Sequence, residues 1–483
     1  MGLPGELTGY EDIEVRSPYG IQQLTELKIV RQLNRHTTLY YTGIIPEAQK
    51  DLYIQTAASK DCLTVLQKNE AGKKEPLFMG LTANIGVRVV RDIYYLEVEG
   101  VSYTEKLDIK LKDRSFQDKD MKYSELLKEV ISAYPGGDIQ DNVSKGTALS
   151  QFTLQYNETD WQFLMRLAAR FNTVLIPNDL VNKPDLNFGL PEGKDGEAVL
   201  PGDMPYRIGK NLSGYVELSE NYLQSITETD FTYFTVETGQ YYPLGSKVKF
   251  RDIKLVVAQS TAEIKGGNLL YEYLLCPVSG LKQKPILNRQ IVGAALEGKV
   301  IDTEKDAVRV HLDIDKNQEK SKAWWFPYST FYTAEGNSGF YCMPQQGDHV
   351  QVYFPTGRAE EGVAINSVRK DKQSHAKTQN PDVKYFGTNQ GKELMMSGGE
   401  LSLTAKNQKE GKIQIKLNDD EGIEIRSDNE INLTARKDLF FDLEQRVSIK
   451  AKNEVQLICG SSSVDMDGAT HLKGVSVTLE PRK

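Results

Sequence analysis

The chain has 483 residues and a formal net charge of -8. Such a length holds about two to four domains with sizeable cores, and an acidic balance excludes a general electrostatic affinity for nucleic acid. Four cysteines, Cys62, Cys276, Cys342 and Cys459, form no CxxC pair, so neither a zinc site nor a disulfide framework is expected, only reduced thiols in packed positions.

The opening stretch, MGLPGELTGYEDIEV, lacks a basic start followed by an apolar run, and Glu6 stands where a myristoylation signal wants Ser or Thr. No run approaches the ~20 apolar residues of a membrane span. The expectation is a soluble cytoplasmic product whose export, if any, uses no signal peptide.

Residues 1 to about 110 read as short strands rich in Tyr, Val, Ile and Thr, such as TTLYYTGIIP and IYYLEVEGVSY, which suggests a compact β-barrel or sandwich. The period then changes. Leu126, Leu127, Val130, Ile131 and Tyr134 form one helical stripe that Pro135-Gly136-Gly137 stops. A strand, QFTLQY, precedes the helix TDWQFLMRLAARF, where Thr159 and Gln162 have capping-box spacing and Trp161, Leu164, Ala168 and Phe171 share a face. From 174 to about 285 strands resume through VLIP, GYVEL, FTYFTVETGQYYPLGSKVKF and LLYEYLLC, a second β unit similar in size to the first. No GxxxxGK[ST] phosphate loop is present.

Residues 286–370 alternate strongly through VGAALEGKVIDTEKDAVRVHLDI, AWWFPYSTFY and HVQVYF, with a tight-turn signal at Gly347-Asp348. Five or six short strands in about 80 residues fit an OB-like barrel. Residues 371–398 are polar and aperiodic and read as a linker.

From 422 to 461 the sequence repeats in octads, GIEIRSDN, EINLTARK, DLFFDLEQ, RVSIKAKN and EVQLICGS. The second and fourth positions are apolar: Ile423 and Ile425, Ile431 and Leu433, Leu439 and Phe441, Val447 and Ile449, Val455 and Leu457. An apolar, polar, apolar triplet marks a short strand with one buried face. Eight extended residues span about 26 Å at about 3.3 Å each, too little for one chain to coil around a packed interior. The simplest closure winds three copies around one axis, each supplying one side. The alternative is an ordinary antiparallel meander, disfavoured because no hairpin glycine interrupts the octads before Gly460. Looser copies flank the repeat at 400–407 and 412–419. Val475, Val477 and Leu479 share a face near the C-terminus, where strand edges invite either a capping partner or cover by Glu480 to Lys483.

Three stretches together resemble the VgrG spike family of type VI secretion and related contractile injection systems. QFTLQYNETDWQFLMRLAARFNTVLIP is similar to the family's QYxESDxxFxxRLxxxxG segment, with Arg166 and Leu167 on its Arg-Leu and Asn172 in place of its glycine. RVHLDID and the segment from AWWFPY to VAINSV follow the family's OB order, with Gln345-Gln346 and Gly362-Val363 replacing its usual residues. The octads follow the barrel, as a family needle does. The resemblance implies a homotrimeric hub on the inner tube, made of Hcp-like subunits, with contacts to baseplate proteins, a PAAR-type tip protein and effector cargo. It implies assembly in the cytoplasm within a contractile particle, delivery out of the cell on contraction, and only transient contact with a target membrane.

The fold class expected is mainly β: a duplicated β-barrel hub with a small α/β insert over 1–285, an OB-fold barrel over 286–370, a linker over 371–398, and an intertwined trimeric β-helix over 399–483. No catalytic, cofactor or metal residues are expected. Some related spikes carry a lysozyme after the OB barrel, but 371–398 is too short for one. Asp438, Asp442 and Glu444 alternate with the apolar positions and read as a solvated face, and His36, His311, His349, His375 and His471 show no HxH or HExxH spacing. A tail fibre or adhesin could share the trimeric needle, and the hub-like halves and OB barrel upstream disfavour it.

Overall fold

A computed structural model describes residues 8–68, 72–192, 198–332, 338–370, 375–407, 411–466, 468–473 and 475–478. The chain is mainly β and divides into two compact units, 1–370 and 371–483.

In the first unit a twelve-stranded sheet carries both β halves of the hub. Strand Gln23–Gln32 of the first half pairs antiparallel with Ile253–Lys265 of the second, from Gln32 opposite Gln259 to Lys28 opposite Glu263. One core therefore serves both halves. Leu27, Ile29, Tyr41, Phe78 and Val98 pack in the same cluster as Phe234, Val257, Tyr271 and Tyr273. Arg31 is sealed within it, its Nε 2.8 Å from Asp179 Oδ2 and its Nη2 donating to Leu77 O at 2.5 Å. Burial pushes the Asp179 carboxyl up against the pull of that guanidinium.

Antiparallel pairing fixes which ends of the strands lie together. Ile93–Ser102 and Asn268–Cys276 finish at the same end of the sheet, and there the chain leaves for the insert and for the OB barrel. The opposite end carries the Arg91-Asp92 turn and the helix Lys50–Thr56, which Lys50 ties to the Tyr94 ring at 5.2 Å.

The insert packs two amphipathic helices, Tyr123–Ser132 and Asp160–Arg170, onto a three-stranded sheet. Leu126, Leu127, Val130 and Ile131 meet Trp161, Leu164, Leu167 and Ala168 in its core. Thr159 caps the second helix as its spacing predicts: its Oγ1 accepts from Gln162 N, and Gln162 Oε1 accepts from Thr159 N, both at 3.2 Å. Asn172 ends it with φ of +50°, the left-handed position that favours Gly and tolerates Asn. The expected strand GYVEL is instead helical, within Leu212–Asn221, because Asn211 Oδ1 accepts from Gly214 N at 3.0 Å and starts a turn.

Residues 295–368 form a five-stranded sheet in the order Trp325–Pro327, Ala307–Leu312, Ala295–Glu304, His349–Tyr353, Val363–Val368. A bridge between Tyr328 and Ala364 closes it into a barrel. Gly347 turns with φ of +103° before His349–Tyr353, at the place the Gly-Asp signal marks. Cys276 is buried, whereas Cys62, Cys342 and Cys459 are exposed and not packed as expected; all four are free.

The second unit begins inside the stretch read as a linker. Lys384–Gly387 and Lys392–Met396 join Glu400–Asn407, Gly411–Asn418 and Gly422–Ser427 in an antiparallel meander. After a segment without ladder partners, Val455–Cys459, Ser462–Met466 and Thr470–Lys473 form a second antiparallel sheet.

Candidate functional site

Two regions carry the features that composition cannot explain as ordinary core: the joint between hub and OB barrel, and the repeat stretch.

The joint is built on the strand Thr153–Glu158. Phe152 and Leu154 leave the hub insert and are buried in the OB core beside Val308, Val310, Phe326 and Phe354. Arg166 Nη2 fastens this strand to the following helix, donating to Leu154 O at 2.6 Å and pairing with Glu158. Burial pushes the Glu158 carboxyl up while Arg166 opposes it. Asp160, fully buried, accepts from Lys112 Nζ at 2.5 Å, Arg114 Nη2 at 2.6 Å, Tyr134 Oη at 2.6 Å and Gln155 Nε2 at 3.0 Å. A carboxylate so fully bonded is a structural node rather than an available acid. Across the joint, Ser115 N and Oγ donate to Asp315 at 2.8 and 2.5 Å, Gln117 Nε2 donates to Val310 O at 3.1 Å, and Trp324 N donates to Gln117 Oε1 at 3.0 Å. The alternation in QFTLQY signals a buried face but not that the OB barrel receives it.

In the repeat, two-residue bends fall at 428–429, 436–437, 444–445 and 452–453, one every eight residues. Between them residues 430–454 have no ladder partner among the described residues. Ile431, Leu433, Leu439, Phe441, Val447 and Ile449 are 53 to 71% exposed, or 73% for Phe441. The outer octads differ. Ile423 and Ile425 pair in the meander, opposite Leu417 and Ile415, after the Gly422 turn, and Val455 and Leu457 pair with Met466 and Val464 around Gly460. Positive φ at those two glycines shapes the hairpins there, whereas the bends of the inner octads hold no positive-φ residue. Even there Ile423, Ile425 and Leu457 stay exposed, and Val455 is partly buried. Leu394, Leu403, Ile415 and Ile425 stand in one row across the meander, and Met396, Leu401, Leu417 and Ile423 in the next. One face of that sheet is thus aliphatic and open.

Val475 and Val477 are exposed, and Leu479 lies outside the described residues. Asp438, Asp442 and Glu444 are exposed, as are the apolar residues that alternate with them. Among the described residues no group of three or more His, Cys, Asp or Glu is placed to hold a metal ion.

Residues 296–368 match the family model described as the type VI secretion system/phage-baseplate injector OB domain. A chain of the Francisella PdpA-VgrG complex in its lidded form superposes with a TM-score of 0.55 at 11% identity, covering 86% of this chain and 79% of that one. The half-lidded form gives 0.53 at 10% identity, covering 86% and 87%. The fold is VgrG-like. The E. coli c3393 protein, described as a type VI secretion component structurally similar to the T4 tail proteins gp27 and gp5, gives 0.51 at 12% identity, covering 74% of this chain and 100% of its own. No curated protein matches the sequence. The VgrG-like fold accounts for the continuity of hub and OB barrel, since matches of this breadth extend well beyond the OB segment.

Proposed function

We propose that this chain is the central hub and spike of a contractile injection machine, acting as a trimer that couples an inner tube to a needle driven through a target envelope. The observation that carries this reading is the row of aliphatic side chains left uncovered along an octad stretch that follows an injector-family OB barrel. Burying each would contribute about 1.5–3 kcal/mol, and a chain that folds alone does not leave a whole face of them in water. Three copies cover one another: the meanders pack their aliphatic faces toward a common axis, and the octads of 430–454 find ladder partners in neighbouring copies.

The protein's work is mechanical. Asp160 and Glu158, two buried acids at the joint, are committed to cations, which supports a non-enzymatic reading. Tube subunits of the Hcp kind sit on the end of the hub sheet opposite the OB barrel, where Leu52, Ile54, Val89, Val90 and Ile93 are exposed. A PAAR-type protein caps the needle through Val475, Val477 and Leu479, and baseplate proteins and cargo gather around the hub. Assembly takes place in the cytoplasm, and contraction carries the spike outward.

Sedimentation of the purified chain at micromolar concentration tests the architecture, with a trimer expected and a monomer or dimer overturning it. Electron microscopy of the parent particle, labelled on the OB barrel, tests the placement at the tube's leading end.

A further inference from the structure

A cleft of about 560 Å3 opens where the end of the helix Asp160–Arg170, the segment Gln283 to Leu287 and the OB loop Gly357 to Glu360 converge. Three guanidiniums line it, those of Arg166, Arg170 and Arg358, against one carboxylate, Glu360. Arg166 is committed to Glu158. Arg170 is different. Its Nη1 donates to Tyr123 Oη at 3.2 Å and Thr153 Oγ1 at 3.1 Å, and the Gln151 carbonyl, with its amide turned to face the guanidinium, accepts at 3.3 Å. These hydrogen-bond partners are neutral, and among the described residues Arg170 has no carboxylate within ion-pair distance, although it attracts the Glu158 carboxylate from further off. Arg358 stands at the exposed rim, only loosely paired with Glu361 at 3.8 Å.

We infer that this cleft binds an acidic peptide segment of a partner protein. A guanidinium held in place by neutral acceptors keeps its charge, which suits a carboxylate. Arg170 takes one acidic side chain at the floor and Arg358 a second at the rim. The side-chain amides of Asn172 and Asn221, which also line the cleft, suit the polar backbone between them. The helix presents its C-terminal end here, the negative end of its dipole, so the guanidiniums must outweigh a repulsion that acts on any anion. This assignment concerns the cleft alone and stands or falls separately from the spike reading.

The test is fluorescence anisotropy of fluorescein-labelled hexaglutamate with the full-length protein, alongside labelled hexalysine, inorganic phosphate and single-stranded DNA as competitors. The expected result is saturable binding of hexaglutamate alone, weakened at least tenfold by Arg170→Gln and by Arg358→Glu, and weakened by added salt. Arg358 lies on an exposed loop, so its variant reads the charge without disturbing the core. Absence of hexaglutamate binding, or equal binding by the parent and Arg358→Glu, would overturn the proposal. Displacement by equimolar phosphate would make the cleft a small-anion site, and displacement by DNA a nucleic-acid site; either result removes the peptide.

Discussion

The ring of Phe152, which belongs to the hub insert, stands edge-on to Phe326 of the OB barrel with centroids 5.0 Å apart and planes at 73°. Both rings are fully buried. The barrel's core is therefore incomplete without a side chain from outside its own sequence.

Phe152→Ala should cost about 3–5 kcal/mol, the usual penalty for truncating a buried aromatic. The loss should fall on the joint, so hydrogen exchange should rise in Ala307–Leu312 and Trp325–Pro327 while the hub sheet stays protected. Unchanged exchange in the barrel would show that the two bodies are energetically separate.

Asn172 provides a sharper test of backbone conformation. With φ at +50°, Asn172→Gly should change stability by less than about 0.5 kcal/mol, whereas Asn172→Val should cost about 1–2 kcal/mol through the left-handed strain of a β-branched residue. Urea midpoints of the two variants, measured side by side, check the ordering.

Asp315 gives the joint a pH dependence of known sign. Burial raises its carboxyl above the ordinary value of 3.8, despite the bonds from Ser115. Between 3.8 and the raised value the folded protein keeps a proton that the unfolded chain has lost. Stability from this group is therefore fully present below 3.8 and is lost as pH rises through the folded value. Relative to Asp315→Asn, the parent should lose stability as pH climbs from about 4 toward neutral. Denaturation midpoints of the pair across that range should diverge, and parallel curves would refute the assignment.

Ile431→Asp separates a trimeric needle from a chain that folds alone. Ile431 is 53% exposed in the single chain, where the change would alter stability by no more than about 0.5 kcal/mol. In a trimer it would place three carboxylates in one apolar interior, at several kcal/mol each if ionised. Expected is a protein whose hub melts normally but whose needle loses resistance to heat and detergent. Equal resistance would count against an inward Ile431.

What was legible in the sequence was local. The Thr159–Gln162 cap, the stripe from Leu126 to Ile131, the Gly347 turn and the octad spacing each declare themselves within a dozen residues, because capping, amphipathic period and turn chemistry act at that range. The pairing of Gln32 with Gln259 does not, since nothing in either strand names a partner more than two hundred residues away. The destination of Phe152 was hidden for the same reason. GYVEL misled because its apolar residues fit either period, and the Asn211 cap decided it. In the octad stretch, alternation located the aliphatic positions, and Gly422 and Gly460 stand at the hairpins that flank the open octads.

The seam between Gln23–Gln32 and Ile253–Lys265 has one more consequence. Ladder bonds lie across the strands, and the insert and OB barrel leave from one end of the sheet. A push delivered along the strands from the far end slides the two halves past each other and strains every bond of the seam at once. A sideways pull would open the same bonds one after another, like a zip. The seam is thus stiff to a load along its strands and weak to one across them.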